Sequence, residues 1–160
     1  MKRILFLAVA ALIATVACAD EVTTWATAVS KQPSTGRAII YRYAKDFRDG
    51  FAKPELPARI ILVWRYKSDN GMPSPAERQA MDRMEDLLEP LIQRSGQIVL
   101  AIVSTGDDLR EWTFYAKSED VFLAKLNERL AGKPRFPIEV HAGPDLKWST
   151  YERFRSEVRE

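Results

Sequence analysis

Arg59-Ile60-Ile61-Leu62-Val63-Trp64-Arg65-Tyr66 is the stretch on which the fold turns. In an extended chain Ile60, Leu62, Trp64 and Tyr66 point one way and Ile61, Val63 and Arg65 the other. Apolar residues on both sides predict a strand covered on both faces, with that double burial ending at Arg65. The flanking segments must supply the covers.

C-terminal to it, Lys67 to Pro73 reads as a loop and Ser74 as the start of a helix. Ser74 caps free N–H groups, Pro75 takes the first helical position, and Glu77 completes a capping box. Met81, Met84, Leu87, Leu88, Leu91 and Ile92 follow at helical spacing, and Gly96 is the stop. Pro90 predicts a kink or an early end. Gln97 to Val103 is again apolar on both faces. Ser104 to Asp108 is a turn, and Leu109 to Ala116 alternates, with Trp112 and Phe114 on the core side. Ser118 caps a second helix bearing Phe122, Leu123, Leu126 and Leu130; Arg135 to His141 is a last strand; Trp148, Tyr151 and Phe154 line a short terminal helix.

From Arg59 the predicted order is β-α-β-β-α-β, the split βαβ or ferredoxin-like sequence of elements. Its second strand belongs at a sheet edge, yet Ile98 to Val103 is apolar on both faces, so something must cover it. Val22 to Val29 and Arg37 to Tyr43, joined by the turn cluster Lys31 to Gly36, read as an N-terminal hairpin. That hairpin is expected to extend the sheet there or to pack on the face the helices leave open. The fold class expected is therefore α+β: an antiparallel ferredoxin-like sheet with an added N-terminal β-hairpin and a short C-terminal helix.

The chain has 160 residues, with 24 Lys and Arg against 22 Asp and Glu. That length suits one domain with a real core. One His and one Cys exclude a zinc site of the usual ligands and an intramolecular disulfide framework. Lys2 and Arg3 precede the uncharged run Ile4 to Ala17, which is shorter than the ~20 residues a spanning helix needs and fits the core of a secretory signal. Ala17-Cys18-Ala19 presents small residues to a signal peptidase, so residues 1–19 are expected to be a signal peptide, cleaved after Ala19, and 20–160 a single α+β domain in the periplasm. Thr15-Val16-Ala17-Cys18 loosely matches a lipobox; by that route Cys18 becomes a lipid anchor, and otherwise no membrane association is expected. Lys2 and Arg3 account for the whole formal charge of +2, which leaves residues 20–160 neutral. A neutral domain argues against a nucleic-acid partner.

Gly36-Arg37-Ala38-Ile39-Ile40, Trp64-Arg65-Tyr66, Gly71-Met72-Pro73, Glu85-Asp86-Leu87-Leu88, Ser104-Thr105-Gly106, Arg110-Glu111-Trp112-Thr113-Phe114-Tyr115 and Phe136-Pro137-Ile138-Glu139 occur in this order. In them the chain resembles the bacterial domain-of-unknown-function family six-ninety-five over nearly the whole mature length. That family is associated by similarity with the ribonuclease E inhibitor B type of ferredoxin-like domain, so the resemblance implies that fold. It brings no established activity. The inhibitor relative binds a cytoplasmic protein that an exported chain would not meet, and its role is not carried over.

Strand parity places Arg65, Glu111, Tyr115, Glu139 and His141 on one side of the sheet. With Arg110 they form the candidate binding surface, suited to an unknown protein or a small polar ligand; the plainer reading is a salt-bridge patch beneath the N-terminal hairpin. No nucleophile elbow, phosphate loop or His-Glu-x-x-His occurs, and neither cofactor nor metal is expected. Asp107 and Asp108 suit an Asx-type turn better than a cation loop. The function expected is a non-catalytic binding or protein-interaction module. The alternatives are a small hydrolase-like enzyme using Asp107, Glu111 and His141, which needs those three to converge, and a structural or assembly protein.

Overall fold

The computed structural model describes residues 20–93 and 96–158. The expected signal peptide, residues 1–19 with Cys18, lies outside them. The elements in chain order are β1 (Val22–Lys31), β2 (Ala38–Phe47), β3 (Ala58–Arg65), α1 (Pro75–Gln93), β4 (Ile98–Gly106), β5 (Leu109–Ala116), α2 (Glu119–Leu130), β6 (Ile138–Pro144) and α3 (Ser149–Glu157). The strands form one antiparallel sheet in the order β1-β2-β4-β5-β3-β6. The molecule is thus α+β, with helices on both faces of the sheet.

β4 carries a doubly apolar sequence because both its faces are covered, whereas β3 packs into the core on one face and on the other has Val63 buried, Ile61 half-buried and Arg65 exposed. On one face Ile60, Leu62, Trp64, Leu100, Trp112 and Phe114 meet Met81, Met84, Leu88 and Leu91 of α1 and Phe122 and Leu126 of α2. On the other face Tyr43, Val99, Ala101, Ile102 and Tyr115 meet Leu56, Trp148 and Tyr151. Each large side chain so buried contributes about 1.5–3 kcal/mol. β2 pairs with β4 through Ile39 to Tyr43 and Ile102 to Gly106, which satisfies the backbone of β4 on that side.

The helix starts follow their caps. The Ser74 amide donates to Glu77 Oε2 at 2.9 Å and the Glu77 amide to Ser74 Oγ at 3.3 Å, a reciprocal capping box. The Val121 amide donates to Ser118 Oγ at 3.2 Å. Three expected boundaries need correction. α1 does not end at Pro90 but runs on to Gln93, because Leu88 and Leu91 hold it to the core. The carbonyl that Pro90 leaves without its donor belongs to exposed Asp86, where water can serve it. β2 continues to Phe47, whose ring stacks on Phe51 at 4.5 Å. β6 starts at Ile138 rather than Arg135 and extends past His141 to Pro144, pairing with Ala58.

Gly106 and Leu109 pair across a two-residue turn in which Asp107 and Asp108 have φ of 53° and 65°. Positive φ at both positions is what such a turn needs to follow the strand twist, and Asp tolerates it better than most residues. Asp107 accepts from Gln32 Nε2 at 3.3 Å and Thr35 Oγ1 at 3.2 Å; Asp108 accepts from the Ser68 amide at 3.0 Å, Ser68 Oγ at 2.8 Å and Arg37 Nη1 at 2.8 Å. The Ser68 hydroxyl foremost, with Arg37, holds the Asp108 carboxyl below the usual range. These carboxylates tie the β1–β2 turn and the β3–α1 loop to the end of the sheet.

Candidate functional site

The residues singled out by strand parity divide among three places. Arg65, Glu139 and His141 form an exposed line near one sheet edge. Arg65 Nε donates to Glu139 Oε1 at 3.2 Å, and His141 Nε2 lies 3.4 Å from Glu139 Oε2. Their side chains are 65, 52 and 59 % exposed, so water screens the pairs and each is worth about 0–1 kcal/mol. Glu111 shares this face, separated from Glu139 by Val63 of β3, and accepts from Ser104 Oγ at 3.5 Å, the outer limit of a hydrogen bond.

Tyr115 is on the same face as Glu111 but farther along β5, where α3 crosses the sheet. It is fully buried, and its ring stacks on Trp148 with centroids 3.8 Å apart. Its hydroxyl donates to Asp145 Oδ2 at 2.9 Å and accepts from the Tyr151 amide at 3.2 Å. Asp145 also accepts from the Ser149 and Thr150 amides at 2.7 and 3.0 Å, which makes it the cap of α3. Burial pushes the Asp145 carboxyl up, and the hydrogen bonds from Thr150, Ser149 and Tyr115 outweigh it, so the net shift is downward. Burial, reinforced by Asp145, pushes the Tyr115 phenol up. Tyr115 is therefore part of the packing that fixes α3.

Arg110 lies on the opposite face from Glu111, as adjacent strand residues must. It meets α1. Arg110 Nη2 and Trp112 Nε1 donate to Glu85 Oε2 at 2.8 and 2.9 Å, Arg110 Nη1 donates to Asp82 Oδ1 at 3.3 Å, and Arg42 Nη2 donates to Glu85 Oε1. Each guanidinium also covers an indole: Arg42 lies 5.1 Å from the Trp25 ring centre and Arg110 4.9 Å from that of Trp112. One carboxylate thus holds two arginines and a tryptophan, with Arg110 only 12 % exposed. The shared parity of Arg110 and Trp112 was a signal for this side; the partners on α1 had no signal beyond helical spacing.

Two hollows flank the Arg42–Glu85 bridge. The one toward the start of α1 has a volume of about 330 Å³ and is lined by Ile40, Arg42, Met72, Pro73, Arg78, Val103, Thr105 and Arg110. The other, of about 270 Å³, is lined by Trp25, Arg42, Leu100 and Ile92 together with Asp20, Glu21, Glu85, Asp86 and Glu89. A third, of about 700 Å³, runs between β1 and the end of α3.

Asp107, Glu111 and His141 do not share a hydrogen bond. Asp107 is held in the β4–β5 turn by Gln32 and Thr35, and His141 is separated from β5 by Ile61 of β3, roughly 10 Å for two strand spacings. The geometry of an acid, a base and a nucleophile around one reacting atom is not formed by these three.

No curated protein matches the chain. The model of a family of unknown function, DUF695, matches residues 25–155, and the chain belongs to that family.

Proposed function

We propose that this member of DUF695 is an exported, non-catalytic binding module of the periplasm, and that its contact surface is centred on Arg110 on the α1 side of the sheet. The observation that carries this reading is the Glu85 carboxylate, which accepts from the buried Trp112 indole and holds the Arg42 and Arg110 guanidiniums at the lip of a hollow. Groups preset on strands and a helix suit recognition without a moving part. Export is supported by Lys2, Arg3, the apolar run to Ala17 and the small residues at Ala17 and Ala19. The spatial order β4-β5-β3-β6 supports describing the part from Ala58 onward as a ferredoxin-like split βαβ unit, with β1 and β2 as its added hairpin.

The test has two arms. Intact mass of the protein from a periplasmic fraction should give an unmodified chain starting at Asp20; a lipid on Cys18 would replace the soluble form with an anchored one. A thermal-shift screen of small polar compounds should find ligands that raise the Tm of the wild type and not that of Arg110→Ala. Turnover of any such compound, lost in Glu111→Gln or His141→Ala, would overturn the non-catalytic reading.

A further inference from the structure

We propose that the hollow beside Arg110 binds a small organic carboxylate with an apolar body. The assignment deepens the binding-module reading and rests on it. The hollow lies where the start of α1 stands over β2 and β4, and its volume of about 330 Å³ is at the lower end of small-molecule sites. Ile40, Val103 and Met72 supply an apolar floor and wall, and Ile40 is 42 % exposed although it sits within the sheet. Beside them stand the Thr105 hydroxyl and the three guanidiniums of Arg42, Arg78 and Arg110, and among the described residues no carboxylate lines the space.

Charge selects the ligand's ionic state. Arg42 and Arg110 are answered by Glu85 and Asp82, whereas Arg78 makes no ion pair among the described residues. Among the lining residues Arg78 is therefore the cation left to meet a ligand's anionic head. Arg78, exposed and lining the hollow, is the donor that a ligand carboxylate reaches, and the Thr105 hydroxyl stands beside it. An inorganic anion would leave Ile40 and Met72 wet, and a neutral apolar molecule would leave the donors unmet. A monoanionic head on a short apolar body satisfies both.

Calorimetric titration of the full chain with octanoate, 1-octanol, octylamine and inorganic phosphate tests this. Octanoate should bind at least about tenfold more tightly than the other three, and Arg78→Gln should weaken octanoate about tenfold while leaving octanol unchanged. Arg78 is exposed and makes no ion pair among the described residues, so this variant should fold; its Tm without ligand is the check. Thr105→Val should weaken octanoate in the same direction. N-acetyl-leucine distinguishes the sources of this chemistry: tighter binding than octanoate assigns a peptide C-terminus, and weaker binding assigns a free acid. Octanoate no better than octanol or phosphate, or unaffected by Arg78→Gln, overturns the proposal. If octanoate fails while another compound raises Tm through Arg110, the carboxylate assignment falls and the binding-module reading stands.

Discussion

The Tyr115 hydroxyl donates to the Asp145 carboxylate at 2.9 Å in a site closed to water, beneath the Trp148 ring that lies stacked on it. Asp145 in turn caps α3, and α3 carries Tyr151, whose hydroxyl donates to the Ala44 carbonyl at 2.7 Å. A strand residue, a loop carboxylate and the last helix are therefore one unit. The unit also contains the left-handed backbone of Trp148, φ 55°, whose indole donates to the Leu56 carbonyl at 2.9 Å.

Removing the hydroxyl while keeping the ring isolates the hydrogen bonds from the stacking. Tyr115→Phe leaves the Tyr151 amide without its acceptor and Asp145 Oδ2 with the Thr150 amide alone in a buried site, and should cost about 2 kcal/mol in urea unfolding. Trp148→Ala removes the ring and should cost more, about 3–5 kcal/mol. Equal losses would show that the hydroxyl, and not the packing, dominates.

The pH dependence follows from the carboxyls held low. Asp145 and Asp108 have folded pKa values below 3.8, the value of the unfolded chain, so the unfolded state takes up protons first as the solution is acidified. The stability they contribute is complete above about pH 4 and is lost as pH falls through their folded values. Tm against pH should drop on that limb, and Asp145→Asn should flatten it. At the alkaline end burial pushes Tyr66 and Tyr151 up from 10.0 to about 12. Their stabilisation is present below pH 10 and lost as pH rises toward 12, with tyrosinate absorbance appearing together with unfolding.

Glu85 ties α1 to two cations of the sheet while itself only 19 % exposed. Glu85→Gln leaves the Arg42 and Arg110 guanidiniums without their shared counter-charge and should destabilise by about 2 kcal/mol, less than a fully buried pair because Arg42 is partly in water. In a double-mutant cycle with Arg110→Leu the two losses should fall short of adding. Additive losses would mean that the contact carries little energy.

Gly106 tests the approach of β2 to β4. A Cβ there would lie 2.3 Å from the Ala38 carbonyl oxygen and 2.8 Å from Ile39 Cα, at φ 151°. Gly106→Ala should cost about 3 kcal/mol or more, or prevent soluble expression. Gly132→Ala, at φ 69° in open space, bears only the left-handed penalty of about 1–2 kcal/mol. A near-neutral Gly106→Ala would show that the two strands can separate without loss.

Much of the fold was legible because its signals are local. The two-sided apolar runs at Ile60 to Trp64 and Ile98 to Val103, the Ser74 and Glu77 capping box, and the paired aspartates at the β4–β5 turn each act over a few residues. The segments resembling DUF695 were legible for the same reason, since order along the chain is itself a sequence property.

The candidate site was legible only by side. Period-two alternation put Glu111, Glu139 and His141 on one face, as found, and the same rule separates Arg110 from Glu111. Distances along and across the sheet were another matter. Which side chains meet depends on how far α1 is turned about its axis, which brings Glu85 and Asp82 to Arg110, and on where α3 returns across the sheet, which closes Tyr115 under Trp148 while Glu139 and His141 stay in water. Local periodicity by itself determined the elements and their inner faces; only the tertiary path decided which charges are neutralised, which are buried and which stand beside a hollow, because packing between elements far apart in sequence sets those distances.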